Sequence, residues 1–236
     1  MGQFITRSDK ETRQLAKKLA KERRYKVVGL VGELGAGKTT FVRISSGHYD
    51  WEAKYEDADE RNPYLDDFYI DKSRWSFNLQ IFFLSRRLRQ IINIRKGCKT
   101  VIQDRTIYED VMIFAYNLYK MGFMTQRDYE NYCDLFELMT ERIQPPDLLI
   151  YLRAKTDTLM NQIQKRGRKN ELSIDRFYID KLNERYNHWI GGYSGKLIII
   201  DVEDGNFEDD KNYQKIIFAK IDNAILELES VISNLS

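Results

Sequence analysis

The chain has 236 residues, enough to bury one substantial core, and a single compact α/β domain is the simplest reading. Its 38 basic and 36 acidic side chains leave a net charge of +2, which excludes a broad electrostatic drive toward nucleic-acid backbone or an anionic membrane. Cys98 and Cys133 have neither zinc-site nor disulfide-framework spacing, and no apolar run has signal-peptide or membrane-spanning character. A cytoplasmic protein with reduced thiols and no nucleic-acid or membrane partner is expected.

Ser8-Asp9-Lys10-Glu11 forms a capping-box pattern, followed by Leu15, Ala16 and Leu19 at helical spacing. This predicts an amphipathic helix over residues 9–22, inside a helical extension 1–24 that precedes the main domain, 25–236. Residues 25–31 read as a buried strand ending in a glycine-rich turn. Residues 100–103, 147–152 and 196–201 are further core strands, and 54–56 adds a short one. Between them lie helical patterns over 75–96, 107–120, 126–143 and 175–189. Unalternating apolar strands joined by helices imply a doubly wound five-stranded parallel sheet, covered on both faces.

Gly32-Glu33-Leu34-Gly35-Ala36-Gly37-Lys38-Thr39 satisfies G-x-x-x-x-G-K-[ST], directly after a strand and before a helix. Glycines let backbone N–H groups close around phosphate oxygens, and the following helix adds its positive N-terminal end. Lys38 is expected to reach the β- and γ-phosphates of ATP, with Thr39 on Mg²⁺ and Thr40 completing the loop. A P-loop alone does not separate a kinase from an ATPase.

Four further segments carry a resemblance. They are Tyr55-Glu56-Asp57 with Asn62-Pro63-Tyr64-Leu65, then Phe68-Tyr69 with Arg74-Trp75-Ser76-Phe77-Asn78-Leu79-Gln80. Asp104-Arg105-Thr106 with Asp110, and Arg166-Gly167-Arg168 through Glu171, complete the set. In order and spacing, from the P-loop to about Asp204, the chain resembles the deoxynucleoside kinase family. The resemblance implies a P-loop kinase fold with a helical, arginine-bearing lid over about 164–173. It also implies ATP-Mg²⁺ as donor and phosphorylation of a deoxynucleoside 5′-hydroxyl.

Residue roles follow from the same resemblance. Glu56 matches the general base, although by composition it is one acid in a surface cluster, and Asp57 replaces the proline common after it. Asp104 matches a Mg²⁺-side carboxylate and Arg105 a contact to the reacting oxygens, while an Asp-Arg pair alone also reads as a strand-end ion pair. Arg166 and Arg168 match lid arginines in a segment that composition alone leaves equally open to a solvated-charge reading. Glu171 and Tyr69 match the groups at the sugar 3′-hydroxyl. Gln80, Arg87 and Asp110 match the set that reads the base edge, which suits a purine or cytosine. Homodimerisation through the helices at 75–96 and 107–120 is implied by analogy.

The opening is different. Residues 6–12 and 32–43 resemble the bacterial P-loop ATPase of tRNA threonylcarbamoyladenosine modification, which gives an alternative reading as an ATPase acting with protein partners. That family's later motifs are missing from Ile44 onward.

Overall fold

A computed structural model describes residues 27–55, 62–97, 99–141, 143–167 and 174–235, with side chains described through residue 228. The expected helix over 9–22 and the boundary at 24/25 lie outside the described residues. Strand β1 (Val27–Gly32) leads through the glycine loop into helix α1 (Lys38–Tyr49) and edge strand β2 (Glu52–Lys54). Helices α2 (Leu65–Ile70) and α3 (Lys72–Lys96) precede strand β3 (Val101–Asp104). Helix α4 runs through Ile107–Glu109, Asp110–Ala115 and Tyr116–Lys120, the middle segment being wound as a π-helix. Helix α5 (Gln126–Thr140), strand β4 (Leu148–Arg153), helix α6 (Thr156–Arg166), helix α7 (Arg176–Gly191), strand β5 (Leu197–Asp201) and helix α8 (Lys211–Leu235) complete the fold.

The five strands form a parallel sheet in the order β2-β3-β1-β4-β5. Val28 of the central strand β1 sits in register with Ile102 and Leu148 on its two neighbours. All six residues of β1 and all four of β3 are buried, as strands covered on both faces must be. Strand β5 departs from the expected buried run. Ile198 and Ile200 face the core, whereas Ile199 is 38% exposed, because β5 is a sheet edge.

Two apolar clusters position the site. One joins the sheet to α1 and α8, where Phe41, Val42 and Tyr49 meet Tyr213, Ile217, Phe218 and Ile221. The Tyr49 hydroxyl donates to Asp222 Oδ1 at 2.8 Å and fixes that contact. The other packs α3, α4 and α5 together through Leu84, Ile91, Ile107, Val111, Ala115 and Tyr132. Trp51 and Trp189 are buried, and His48 stacks on Phe218 at 3.9 Å.

Candidate functional site

The phosphate-binding loop is built by backbone geometry. Gly37 has φ 86° and caps α1, and a Cβ there would come within 2.9 Å of Phe207 Cζ. Gly35 has φ 91°, and its Cβ would lie 2.9 Å from the Leu159 carbonyl of α6. Both positions therefore need glycine for conformation and for space. Lys38 folds back over the loop, with Nζ donating to Gly32 O at 2.6 Å and Glu33 O at 3.1 Å. Leu34 packs against the main core, Ala36 is buried, and Thr39 is exposed at the start of α1.

Glu33 does not face the loop's mouth. Its side chain is fully buried, with Oε1 accepting from the Tyr151 hydroxyl at 2.7 Å. Oε2 has no hydrogen-bond partner among the described residues. Burial pushes its carboxyl up to about 7, against the pull of the Tyr151 hydrogen bond and Lys38 and with a further push from Glu109.

The end of β3 lies beside the loop. Thr39 Oγ1 donates to Asp104 Oδ2 at 3.1 Å, and Asp104 is 3% exposed. Arg105 takes the left-handed conformation, φ 71°, which non-glycine residues seldom adopt outside constrained sites. Its backbone N–H donates to Leu30 O at 2.9 Å, and its guanidinium lies 4.3 Å from the Phe114 ring centroid. Glu109 then closes a capping box with Thr106 at the start of α4.

Gln80 and Arg87, two turns apart on α3, are both buried. Arg87 Nε donates to Asp110 Oδ2 at 3.2 Å, and Arg87 Nη1 donates to Asp104 O at 3.4 Å. Gln80 Oε1 is buried without a partner among the described residues, which leaves an acceptor for a ligand amide. Tyr69 on α2 is 41% exposed. A separate cleft of about 370 Å³ is lined by Gly35, Ala36, Gly37 and Thr40 of the loop, by α6, and by the segment from Val202 to Glu208. Arg166 ends α6, and Gly167, φ 65°, caps it.

The structure thus brings Lys38, Thr39, Asp104 and Arg105 to one end of the sheet, with Asp110 joined to them through Arg87 and Gln80 two turns away on the same helix. Glu56, Arg168 and Glu171 lie outside the described residues. Glu109, Tyr151 and Tyr186 go unread in the sequence, although the Thr106–Glu109 spacing is a capping-box signal. The cleft is also unread, because its walls come from three distant segments.

A metal can be tested against these residues. Among the described residues no group of three or more His, Cys, Asp or Glu is placed to hold one. Asp104 Oδ1 is nevertheless buried with no hydrogen-bond partner among them. One carboxylate beside a threonine hydroxyl suits Mg²⁺, which keeps several waters and takes its other ligands from phosphate. No helix among the described residues is long and apolar enough to cross a membrane.

The deoxynucleoside kinase family model matches residues 28–227, so the phosphate loop and the body belong to one family unit. The chain is 35% identical over 209 residues to the deoxyadenosine/deoxycytidine kinase of Bacillus subtilis, covering 87% of this chain and 93% of that one. It is 34% identical over 212 residues to the deoxyadenosine kinase of Lactobacillus acidophilus, covering 86% and 97%. Among solved structures, the deoxyadenosine kinase of M. mycoides with bound dCTP superposes with a TM-score of 0.72 at 31% identity, over 84% of this chain and 99% of that one. The same enzyme with bound dATP gives a TM-score of 0.71 at 30% identity, with the same coverage. With most of the chain matched, this protein belongs to the deoxynucleoside kinase family and is an ATP-dependent kinase of that class.

Proposed function

We propose that the enzyme transfers the γ-phosphoryl group of ATP to the 5′-hydroxyl of a purine deoxynucleoside or deoxycytidine. The observation that carries this reading is Arg87, whose guanidinium pairs with Asp110 and also donates to the Asp104 carbonyl. One side chain thereby links the base-reading set to the phosphate-loop end of the sheet. Gln80 Oε1 and the Arg87–Asp110 couple offer an acceptor, a charged donor and a second acceptor, a pattern that adenine, guanine and cytosine edges can meet.

In this reading the ATP triphosphate is wrapped by residues 32–40, and the donor base enters the cleft beside α6. Lys38 and Arg105 stabilise charge on the transferring phosphoryl group, with Arg166 and Arg168 added by the lid. Glu56 takes the proton from the attacking 5′-hydroxyl, while Tyr69 and Glu171 hold the 3′-hydroxyl. Thr39 and Asp104 hold Mg²⁺, which supplies charge neutralisation on the phosphate oxygens. Exposed Ile92 on α3 (43%) and Met112 on α4 (38%) support a homodimer through those helices, checked by light scattering. A cytoplasmic location accords with salvage of free nucleosides.

The test is a panel of deoxyadenosine, deoxyguanosine, deoxycytidine and thymidine with γ-labelled ATP. Label on at least one of the first three, with thymidine poorest, is expected. Label on thymidine alone would overturn the base assignment, and label on none would overturn the acceptor. Nothing in the fold or the relatives favours the tRNA-modification reading.

A further inference from the structure

We infer that Glu109 is a positioning residue that locks the phosphate-binding loop and the Asp104–Arg105 turn into one rigid arrangement.

Three segments converge on this one carboxylate. Oε2 accepts from the Thr106 N–H at 3.0 Å, inside its own capping box. Oε1 reaches away from the helix, accepting from the Tyr186 hydroxyl of α7 at 2.5 Å and from the Gly32 N–H at 3.4 Å. Gly32 and Tyr186 are each 77 residues away in sequence. A helix cap would be complete with Thr106 alone. The second oxygen is directed to the first glycine of the P-loop and to helix α7.

The consequences run through the backbone to both catalytic cations. Gly32 is held at its N–H by Glu109, and its carbonyl in turn accepts from Lys38 Nζ. The Thr106 N–H belongs to the peptide that follows Arg105, so its bond to Glu109 helps keep Arg105 left-handed. Glu109 is fully buried, and burial pushes its carboxyl above the ordinary carboxylate range, against the pull of Arg105 and Lys38. The other ionisable groups near it are Tyr186, which stacks on Tyr151 at 5.8 Å, and Glu33, which Tyr151 holds.

The geometry requires an acceptor at both oxygens. Gly32 N–H and Thr106 N–H can only donate, and they approach different oxygens. Glutamine fills the same space but must turn its NH₂ toward one of these donors, which leaves a buried N–H without an acceptor. Glu109→Gln therefore disturbs either the P-loop glycine or the Arg105 turn, with no direct effect on Gln80 or Arg87.

The experiment compares wild type with Glu109→Gln, Glu109→Asp and Tyr186→Phe in the full chain. Turnover, KM for ATP, and deoxynucleoside affinity without ATP are measured on each, with melting curves alongside. In Glu109→Gln, turnover falls tenfold or more and KM for ATP rises, while deoxynucleoside affinity stays within twofold of wild type. Glu109→Asp, which keeps an acceptor-only group, recovers at least threefold of the lost turnover. Turnover within twofold of wild type, or deoxynucleoside affinity falling in step with turnover, overturns the proposal. If Glu109→Gln does not fold, Tyr186→Phe carries the test: a threefold loss of turnover at intact nucleoside affinity supports it, and unchanged turnover overturns it. This rests on the kinase reading, and a wild-type protein inactive on every deoxynucleoside counts against that reading instead.

Discussion

The Thr39 hydroxyl donates to Asp104 Oδ2 over 3.1 Å, tying the first turn of α1 to the last residue of β3. The other Asp104 oxygen is buried without a hydrogen-bond partner among the described residues, a state that costs about 1–3 kcal/mol or more for a polar group. Asp104→Asn keeps the shape and removes the charge. Turnover at saturating substrates is expected to fall about 100-fold, while the melting temperature holds or rises. Unchanged turnover would remove Asp104 from the metal-side role.

The Arg87–Asp110 pair is almost fully buried, with side chains 6% and 3% exposed. Removing one partner strands the other charge, so Arg87→Ala is expected to cost about 3–5 kcal/mol in urea unfolding. The double variant Arg87→Met with Asp110→Ala regains much of that loss. Both variants lose deoxynucleoside binding by calorimetry and retain ATP binding. A double variant no more stable than Arg87→Ala contradicts the buried-charge explanation.

Glu33 gives a pH dependence with a definite sign. Its carboxyl titrates near 7 in the folded chain, against an ordinary value of 4.5. Between those values the native state holds a proton that the unfolded chain has released. Its contribution is therefore full below about pH 4.5 and is lost as pH rises to about 7. The shift corresponds to roughly 3 kcal/mol by linkage. Glu33→Gln, which still accepts from Tyr151, is expected to flatten this part of the curve, as read by urea midpoints from pH 5 to 8. Parallel wild-type and variant curves would refute the assignment.

Tyr132 is fully buried among the helices α3, α4 and α5, and its hydroxyl has no hydrogen-bond partner among the described residues. Tyr132→Phe removes only that hydroxyl. Stability is expected to be unchanged or raised by about 1 kcal/mol. Tyr186→Phe, which removes a made bond to Glu109, is expected to lower stability by a similar amount. Thermal melts of the two variants moving in the same direction would contradict this contrast.

The parts of the site that sequence reveals are those encoded locally. The P-loop is a contiguous pattern, and Gln80 and Arg87 share a face because seven residues make about two turns. The parts that it hides depend on contacts across the chain. The Thr106–Glu109 cap is visible in sequence, but nothing local shows that the outer oxygen of Glu109 meets Gly32 and Tyr186. The isoleucine run of β5 reads as interior because edge position is set by topology, and the sheet order leaves Ile199 on the outside. Helix α8 carries Tyr213, Ile217, Phe218 and Ile221 at helical spacing, yet its role in covering α1 appears only in the packed fold.

Glu109 and Asp110 are consecutive, yet one bonds the phosphate loop and the other holds Arg87. Neighbouring residues on a helix point in different directions, so a single stretch of backbone addresses both the phosphate loop and Arg87. In the reading proposed above, any tilt of α4 that re-aims Asp110 toward a different base also drags on Gly32. On that reading, altering substrate preference without loss of rate is easiest from α3, through Gln80 and its neighbours, and engineering that begins at Asp110 inherits a penalty at the phosphate loop.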